Sequence, residues 1–182
     1  MNEVDDIALV EQCLSGNTAA FGTLVDRYQE AVFNVALRMV NRYEDAQDIA
    51  QTVFLKAYGN LGTYKPEYKF FSWIYRMVIN ESINFLERRR PTELLEDIHI
   101  SSEPDPYVSL ETAELNRSLE RAIASLSPEH RAVIIFRHFE DLSYEEISMI
   151  LQIPEKTVKS RLFSARRKLR ELLFELKVGS HD

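Results

Sequence analysis

The sequence predicts an all-α fold: two small helical domains joined by a flexible acidic linker, the second domain containing a helix-turn-helix. Three observations carry this. Apolar residues recur at steps of three and four along most of the chain, and no stretch alternates apolar and polar residues as a half-buried strand would. None of the 6 prolines falls inside such a periodic stretch. The acids are segregated. Residues 91–114 hold 7 Asp or Glu and no Lys or Arg, whereas 1–90 hold 12 acids against 10 bases and 115–182 hold 10 against 12. The net charge of −7 therefore belongs to one short segment. Its like charges keep such a tether extended.

The elements follow in order. A helix over 5–15 ends at Ser15-Gly16-Asn17. A long helix over 18–40 places Phe21, Leu24, Val25, Tyr28, Val32, Val35 and Ala36 on one face. A third, over 43–60, stops near Gly59 and Gly62; Ala46, Ile49, Ala50, Val53 and Ala57 lie inward, and Asp45, Asp48, Gln51, Thr52 and Lys56 outward. A loop carries Thr63 to Lys69, and a fourth helix covers 70–89, where Trp73, Ile74 and Met77 are spaced for a core. Residues 93–105 lack an apolar face and are expected to be mobile. Helices over 107–125, 128–138, 143–151 and 154–176 complete the chain. Pro128 and Pro154 suit the first helical position. Ser143-Tyr144-Glu145-Glu146 is a capping box, with a hydroxyl and a carboxylate three residues apart that can satisfy each other's backbone N–H.

Several classes are excluded. The single cysteine, Cys13, cannot form an internal disulfide, which fits a reducing cytoplasm. The start, MNEVDDIALVEQ, is acidic and lacks the basic and apolar regions of a signal peptide. No apolar run approaches the ~20 residues of a membrane span, so no membrane insertion is expected. His99, His130, His138 and His181 show no metal-ligand spacing. Neither a nucleophile–base pattern nor a phosphate-binding glycine loop is present, so neither an enzyme nor a cofactor is expected.

Two clusters point to nucleic acid. Between Ile153 and Leu172 lie 7 Lys or Arg and only 2 Glu. The short helix over 143–151, the turn at Gln152-Ile153-Pro154 and this basic helix make a helix-turn-helix, whose second helix enters the major groove. Val158, Leu162, Ala165, Leu169, Leu172 and Leu176 form its buried stripe. Lys159, Ser160, Phe163 and Ser164 fall where base edges would be; Thr157, Arg161, Arg166, Arg167 and Lys168 are placed for phosphates. A solvated basic helix is the other reading, but capping box, turn and stripe in one register favour DNA. The second cluster runs from Tyr64 to Arg90 and interleaves aromatics with cations, as single-stranded nucleic acid requires. Tyr64, Lys65, Tyr68 and Lys69 of the loop, with Phe70, Asn80 and Asn84, are the candidates there. Trp73 reads as core, and Arg88 to Arg90 complement a helix dipole.

These pieces resemble the bacterial RNA polymerase sigma factors of the extracytoplasmic-function type, in the sigma-70 family. The quoted stretches are LVEQCLSGNTAAFGTLVDRYQEAVFNVALRMV, DAQDIAQTVFLKAY, FFSWIYRMVINESINFLERRR and SLSPEHRAVIIFRHFEDLSYEEISMILQIPEKTVKSRLFSARRKL. The resemblance implies a transcription initiation factor that binds core RNA polymerase, directs it to promoters and helps to melt them. Domain 1–91 would dock on the polymerase clamp through Asp45, Asp48, Gln51, Thr52 and Leu55. It would also capture the melted minus-ten strand, a flipped base entering the loop from Thr63 to Phe70. The acidic linker over 92–112 would thread the polymerase cleft, and domain 113–182 would read the minus-thirty-five duplex and bind the flap. An anti-sigma factor is a further implied partner. Gln152 takes a turn position where glycine is frequent and φ is positive. A stand-alone helix-turn-helix regulator with an N-terminal interaction domain is the alternative; it would bind duplex DNA without polymerase.

Overall fold

A computed structural model describes residues 3–88 and 110–178, with side chains over 6–88 and 115–174. Among them are eight α-helices: α1 (Glu3–Leu14), α2 (Thr18–Val40), α3 (Tyr43–Gly59), α4 (Phe70–Arg88), α5 (Leu110–Ala124), α6 (Pro128–His138), α7 (Tyr144–Leu151) and α8 (Glu155–Val178), with one 3-10 turn at Leu61–Thr63. The expected tether over 93–105 lies outside the described residues.

Local chemistry sets the boundaries. Helix α2 closes on Asn41 in the left-handed region, φ 57°, whose N–H returns to the Leu37 carbonyl at 2.7 Å; Asn tolerates that conformation. The capping box of α7 is formed: the Glu146 N–H donates to Ser143 Oγ at 3.1 Å, and the Ser143 N–H donates to Glu146 Oε2 at 2.9 Å. The turn into α8 has Gln152 at φ 52°, as its position in the motif predicts. Ser148 Oγ braces that turn by donating to the Ile153 carbonyl at 2.6 Å. Pro154 stands one residue before the helix instead of within it, and its carbonyl accepts the N–H groups of Thr157 and Val158.

In the N-terminal half, α2 is the central helix. Leu24, Tyr28, Val32, Val35, Ala36 and Met39 are buried against Ala46, Ile49, Val53 and Ala57 of α3 and Ile74, Val78 and Ile79 of α4. Each such aliphatic side chain contributes about 1.5–3 kcal/mol on leaving water. Helix α1 is fastened across α2 by Asp6, a buried carboxylate that accepts from Arg27 and from the Tyr28 hydroxyl. Burial and that carboxylate push the Tyr28 phenol far above its usual range.

The C-terminal half is built around α6. Ala132 to Phe136 are buried without a break. A helix that is apolar all round needs cover on every side. Helices α7 and α8 cover part of it with Ile147, Ile150, Val158, Leu162 and Ala165. The remainder packs on α2 and α4, so the two halves, expected as separate cores, share one. Tyr75 of α4 stacks on Phe136 at 5.6 Å and 19°, and its hydroxyl donates to Glu140 at 2.6 Å. Lys69 pairs with Glu146 at 3.5 Å. Arg131, 6% exposed, donates to the carbonyls of Met39, Ala124 and Leu126. Burial lowers its guanidinium to about 10, which leaves it charged at neutral pH. Arg131→Ala would strand the buried carbonyls of Met39 and Leu126 and the partly buried one of Ala124. Urea unfolding of the full chain should then show a loss of about 3 kcal/mol, and a loss under ~1 kcal/mol would mean that water replaces the arginine.

Candidate nucleic-acid interface

Three surfaces hold the candidate residues. The first is the outer face of α8. Its stripe of Val158, Leu162 and Ala165 is buried, with Leu169 partly so, and this fixes which side turns out. Lys159, Ser160 and Phe163 are exposed, Phe163 to 69%, and Ser164 is half-buried beside them. Thr157 and Arg161 are half-buried, while Arg166, Arg167 and Lys168 are exposed. Ser160 Oγ donates to the Thr157 carbonyl at 3.0 Å, which leaves its lone pairs as acceptors.

Helices α6 and α7 organise one flank of α8 in a way the sequence did not reveal. Lys159 Nζ sits 3.5 Å from Glu155 Oε2 and 5.6 Å from the Tyr144 ring centroid. Arg137 also lies 5.6 Å from that ring, so two cations share one aromatic. Arg166 donates to His138. Only the Glu155–Lys159 pair, four residues apart on one helix, was open to inference from spacing. Tyr144 and His138 meet α8 through tertiary packing alone.

The second surface is a cavity of about 510 Å³ beside the loop after α3. Lys65, Tyr68, Trp73 and Arg76 line one side and Met149 and Gln152 of the helix-turn-helix the other. Lys65, Lys69, Asn80 and Asn84 are exposed, as is half of Tyr68. Two expectations need correction. Tyr64 is 8% exposed and Phe70 2%. Their rings pack on each other at 5.5 Å, and Phe70 also packs on Tyr28 at 5.3 Å; the Tyr64 hydroxyl donates to the Tyr68 carbonyl at 2.7 Å. Tyr64 lines the cavity with Phe70 packed behind it, and neither offers an open stacking face. Trp73, read as core, is half-buried in the cavity wall, 5.7 Å from Tyr64 and 5.6 Å from Phe70. Its spacing matched a core stripe, and only the break in packing at the loop leaves it partly open.

The third surface is a groove of about 690 Å³ between α2 and α3. Asp48 and Gln51 line it, together with Phe33, Tyr43 and Phe54, which the sequence did not single out. Asp45 is half-buried and paired with Arg42 at 3.5 Å, and Thr52 is half-buried. Leu55 lies outside the groove, 69% exposed. An aromatic wall beside carboxylate and amide groups suits a protein partner that is apolar at its centre and polar at its rim.

The chain is similar to known proteins along most of its length. Residues 24–92 match the family described as Sigma-70 region 2, and residues 116–169 match Sigma-70, region 4. The ECF RNA polymerase sigma-E factor of Haemophilus influenzae is 36% identical, over 90% of this chain and 93% of its own. The RNA polymerase sigma-H factor of Pseudomonas aeruginosa is 33% identical, over 95% of this chain and 96% of its own. The chain belongs to the sigma-70 family, among its extracytoplasmic-function sigma factors. It is a promoter-specific transcription initiation factor, and its partners are RNA polymerase and promoter DNA. The solved structure of CnrH in complex with the cytosolic domain of CnrY matches this sigma factor with a TM-score of 0.71 and 27% identity, over 94% of this chain and 98% of the other. Among the described residues, no helix is long and apolar enough to cross a membrane.

Glu146 links the two halves, as capping carboxylate of α7 and as partner of Lys69 in the loop before α4. The hydrogen bond from the Ser143 N–H, aided by Lys69, holds its carboxyl below the usual Glu value. A carboxyl depressed on folding adds stability that is complete above its unfolded pKa, ~4.3, and is lost as pH falls through the lower folded value. Glu146→Gln should therefore flatten the stability profile across that acid range, read by urea unfolding in a pH series; an unchanged slope would show that the carboxylate adds nothing.

Proposed function

We propose the following division of labour. Residues 1–91 dock on the polymerase clamp through the α2–α3 groove, with Asp45, Asp48, Gln51, Thr52 and Leu55 as contacts. They capture the melted minus-ten strand at the cavity, where Lys65, Tyr68 and Lys69 face the strand over Tyr64, with Phe70 packed behind it, and Asn80 and Asn84 extend the track along α4. Residues 113–182 read the minus-thirty-five duplex: Lys159, Ser160, Phe163 and Ser164 meet base edges, and Thr157, Arg161, Arg166, Arg167 and Lys168 hold phosphates. The linker over 92–112 spans the polymerase cleft. The protein works in the cytoplasm, by binding and without catalysis.

One observation carries the reading: a single chain presents both a basic major-groove helix and a separate cavity of aromatics and cations. A stand-alone regulator needs the first and has no use for the second. The two promoter elements lie about 25 base pairs apart by their names, or ~85 Å along the duplex at 3.4 Å per pair. Two halves that share one core cannot reach both, so engagement of a promoter separates α6 and α7 from α2 and α4. An anti-sigma factor, of the kind suggested by the complex of CnrH with CnrY, controls the protein by covering the α2–α3 groove, the α8 face or both.

The deciding experiment is run-off transcription on genomic fragments with purified core polymerase. Specific transcripts that need both core and this protein support the reading; tight duplex binding without polymerase and no transcript would favour the regulator. Asp48→Arg, on the exposed rim of the groove, should weaken core polymerase binding in a titration while leaving the unfolding curve in place. The two classes of α8 contact should also separate. Lys159→Ala should relax preference at one promoter position by roughly 1–3 kcal/mol, and Arg167→Ala should weaken all sequences alike and lower the salt slope by about one unit. Holoenzyme binding to a base-substitution panel over a salt series reads both, and exchanged phenotypes would reverse the assignment of faces.

A further inference from the structure

We propose that His138 is a positioning residue for DNA binding: as the neutral imidazole protonated on Nδ1, it aims the Arg166 guanidinium at the phosphates of the upstream promoter element and makes duplex binding acid-sensitive. This rests on the assignment of Arg166 as a phosphate contact.

The geometry fixes the protonation state. His138 ends α6, and Arg166 reaches it from α8. Arg166 Nε lies 3.3 Å and Nη2 3.2 Å from the same atom, His138 Nε2. A guanidinium is always protonated and only donates, so Nε2 must carry the lone pair and the ring proton must sit on Nδ1. Two donors converging on one acceptor orient the plane of the guanidinium. Two of its five N–H groups are used and three remain. They belong to an exposed side chain on the flank of α8 that also carries Lys159. Arg166 is thus held ready for a phosphate, and less of its rotamer freedom is lost when DNA arrives.

Partial burial holds the pKa of His138 below the usual value, and the two charges acting on it, the cations Arg166 from α8 and Arg137 beside it on α6, lower it further. Arg137 is engaged elsewhere, donating to the Leu142 carbonyl at 2.9 Å and pairing with Asp141 at 3.4 Å. Protonation of His138 removes the acceptor and sets a new cation against Arg166. The hydrogen bonds therefore survive above the lowered pKa and are lost as pH falls through it.

The test is binding of a promoter duplex, recovered by run-off transcription, to holoenzyme assembled with the full chain between about pH 8 and about pH 5.5. His138→Gln offers an acceptor that does not titrate. Wild type should lose about two- to fivefold more affinity on acidification than His138→Gln does. At the upper pH, His138→Ala should lose as much as Arg166→Ala, and the double variant no more than either, with base preference unchanged throughout. Affinity that rises on acidification overturns the proposal, as does a pH profile in His138→Gln equal to that of wild type. So do losses that add in the double variant. Full affinity in Arg166→Ala would remove the phosphate assignment and the proposal with it. A weakened Arg166→Ala beside an unaffected His138→Ala would overturn the positioning alone.

Discussion

A buried arginine holds the two halves of this sigma factor in register. Arg131 donates to the Met39 carbonyl in the last turn of α2, to the Ala124 carbonyl at the end of α5 and to Leu126 just beyond. Helix C-termini leave carbonyls without intrahelical partners and carry the negative end of the helix dipole. Two such ends converge on one guanidinium, and the charge is balanced by dipoles where a carboxylate would ordinarily stand. An apolar side chain could fill the same space, often with equal stability. It could not set the direction of approach, because packing tolerates rotation that three hydrogen bonds forbid. The register of α6 against α2 follows, and with it the meeting of Tyr75 with Phe136 and of Lys69 with Glu146.

That seam bears on function because it crosses the cavity. Met149 and Gln152 form one wall of the site whose other wall is the loop and the start of α4. On the division of labour proposed above, a strand held at this cavity would compete with the helix-turn-helix for the same space. Separating the halves exposes Phe136 and Arg131, so the closed form is favoured until a partner offers more. If promoter engagement separates the halves as proposed, polymerase and promoter together would offer more, because each half would gain a surface of its own. The equilibrium is shifted by differential affinity for the open form, which is the only way binding can shift it. A protein that grips both halves at once works in the opposite sense, by adding contacts to the closed form.

The helices were legible because their causes are local. The capping box, the glycine-like turn at Gln152 and the stripe of Val158, Leu162 and Ala165 are set by residues within four or five positions of one another, and each formed as its spacing required. The inward face of α3 was legible for the same reason. What the sequence hid is what depends on distant segments. Arg131 reads as one more cation in a basic half, and only its contact with Met39 shows it to be core. Tyr64 stands in a loop rich in exposed cations and Phe70 at the start of α4 beside it, yet α2 supplies Tyr28 to bury Phe70, and Tyr64 closes over it. Aromatics beside lysines suggested open stacking faces. Here the rings pack inward and the lysines remain outside.

The same division explains the flank of α8 that carries Lys159 and Arg166. Periodicity says which residues turn out, but it says nothing about how an exposed side chain is held. A lysine or arginine in water samples many rotamers, and a contact to a base edge must select one. Lys159 is drawn between Glu155 and the Tyr144 ring, and Arg166 is drawn to His138. These restraints come from the last turn of α6 and the first residue of α7. On the assignment proposed above, specific contact with DNA would depend on the whole helix-turn-helix and on α6 behind it. An isolated α8 peptide would keep the charge of the surface, and with it much of the salt-dependent attraction, but would lose the geometry that distinguishes one base pair from another.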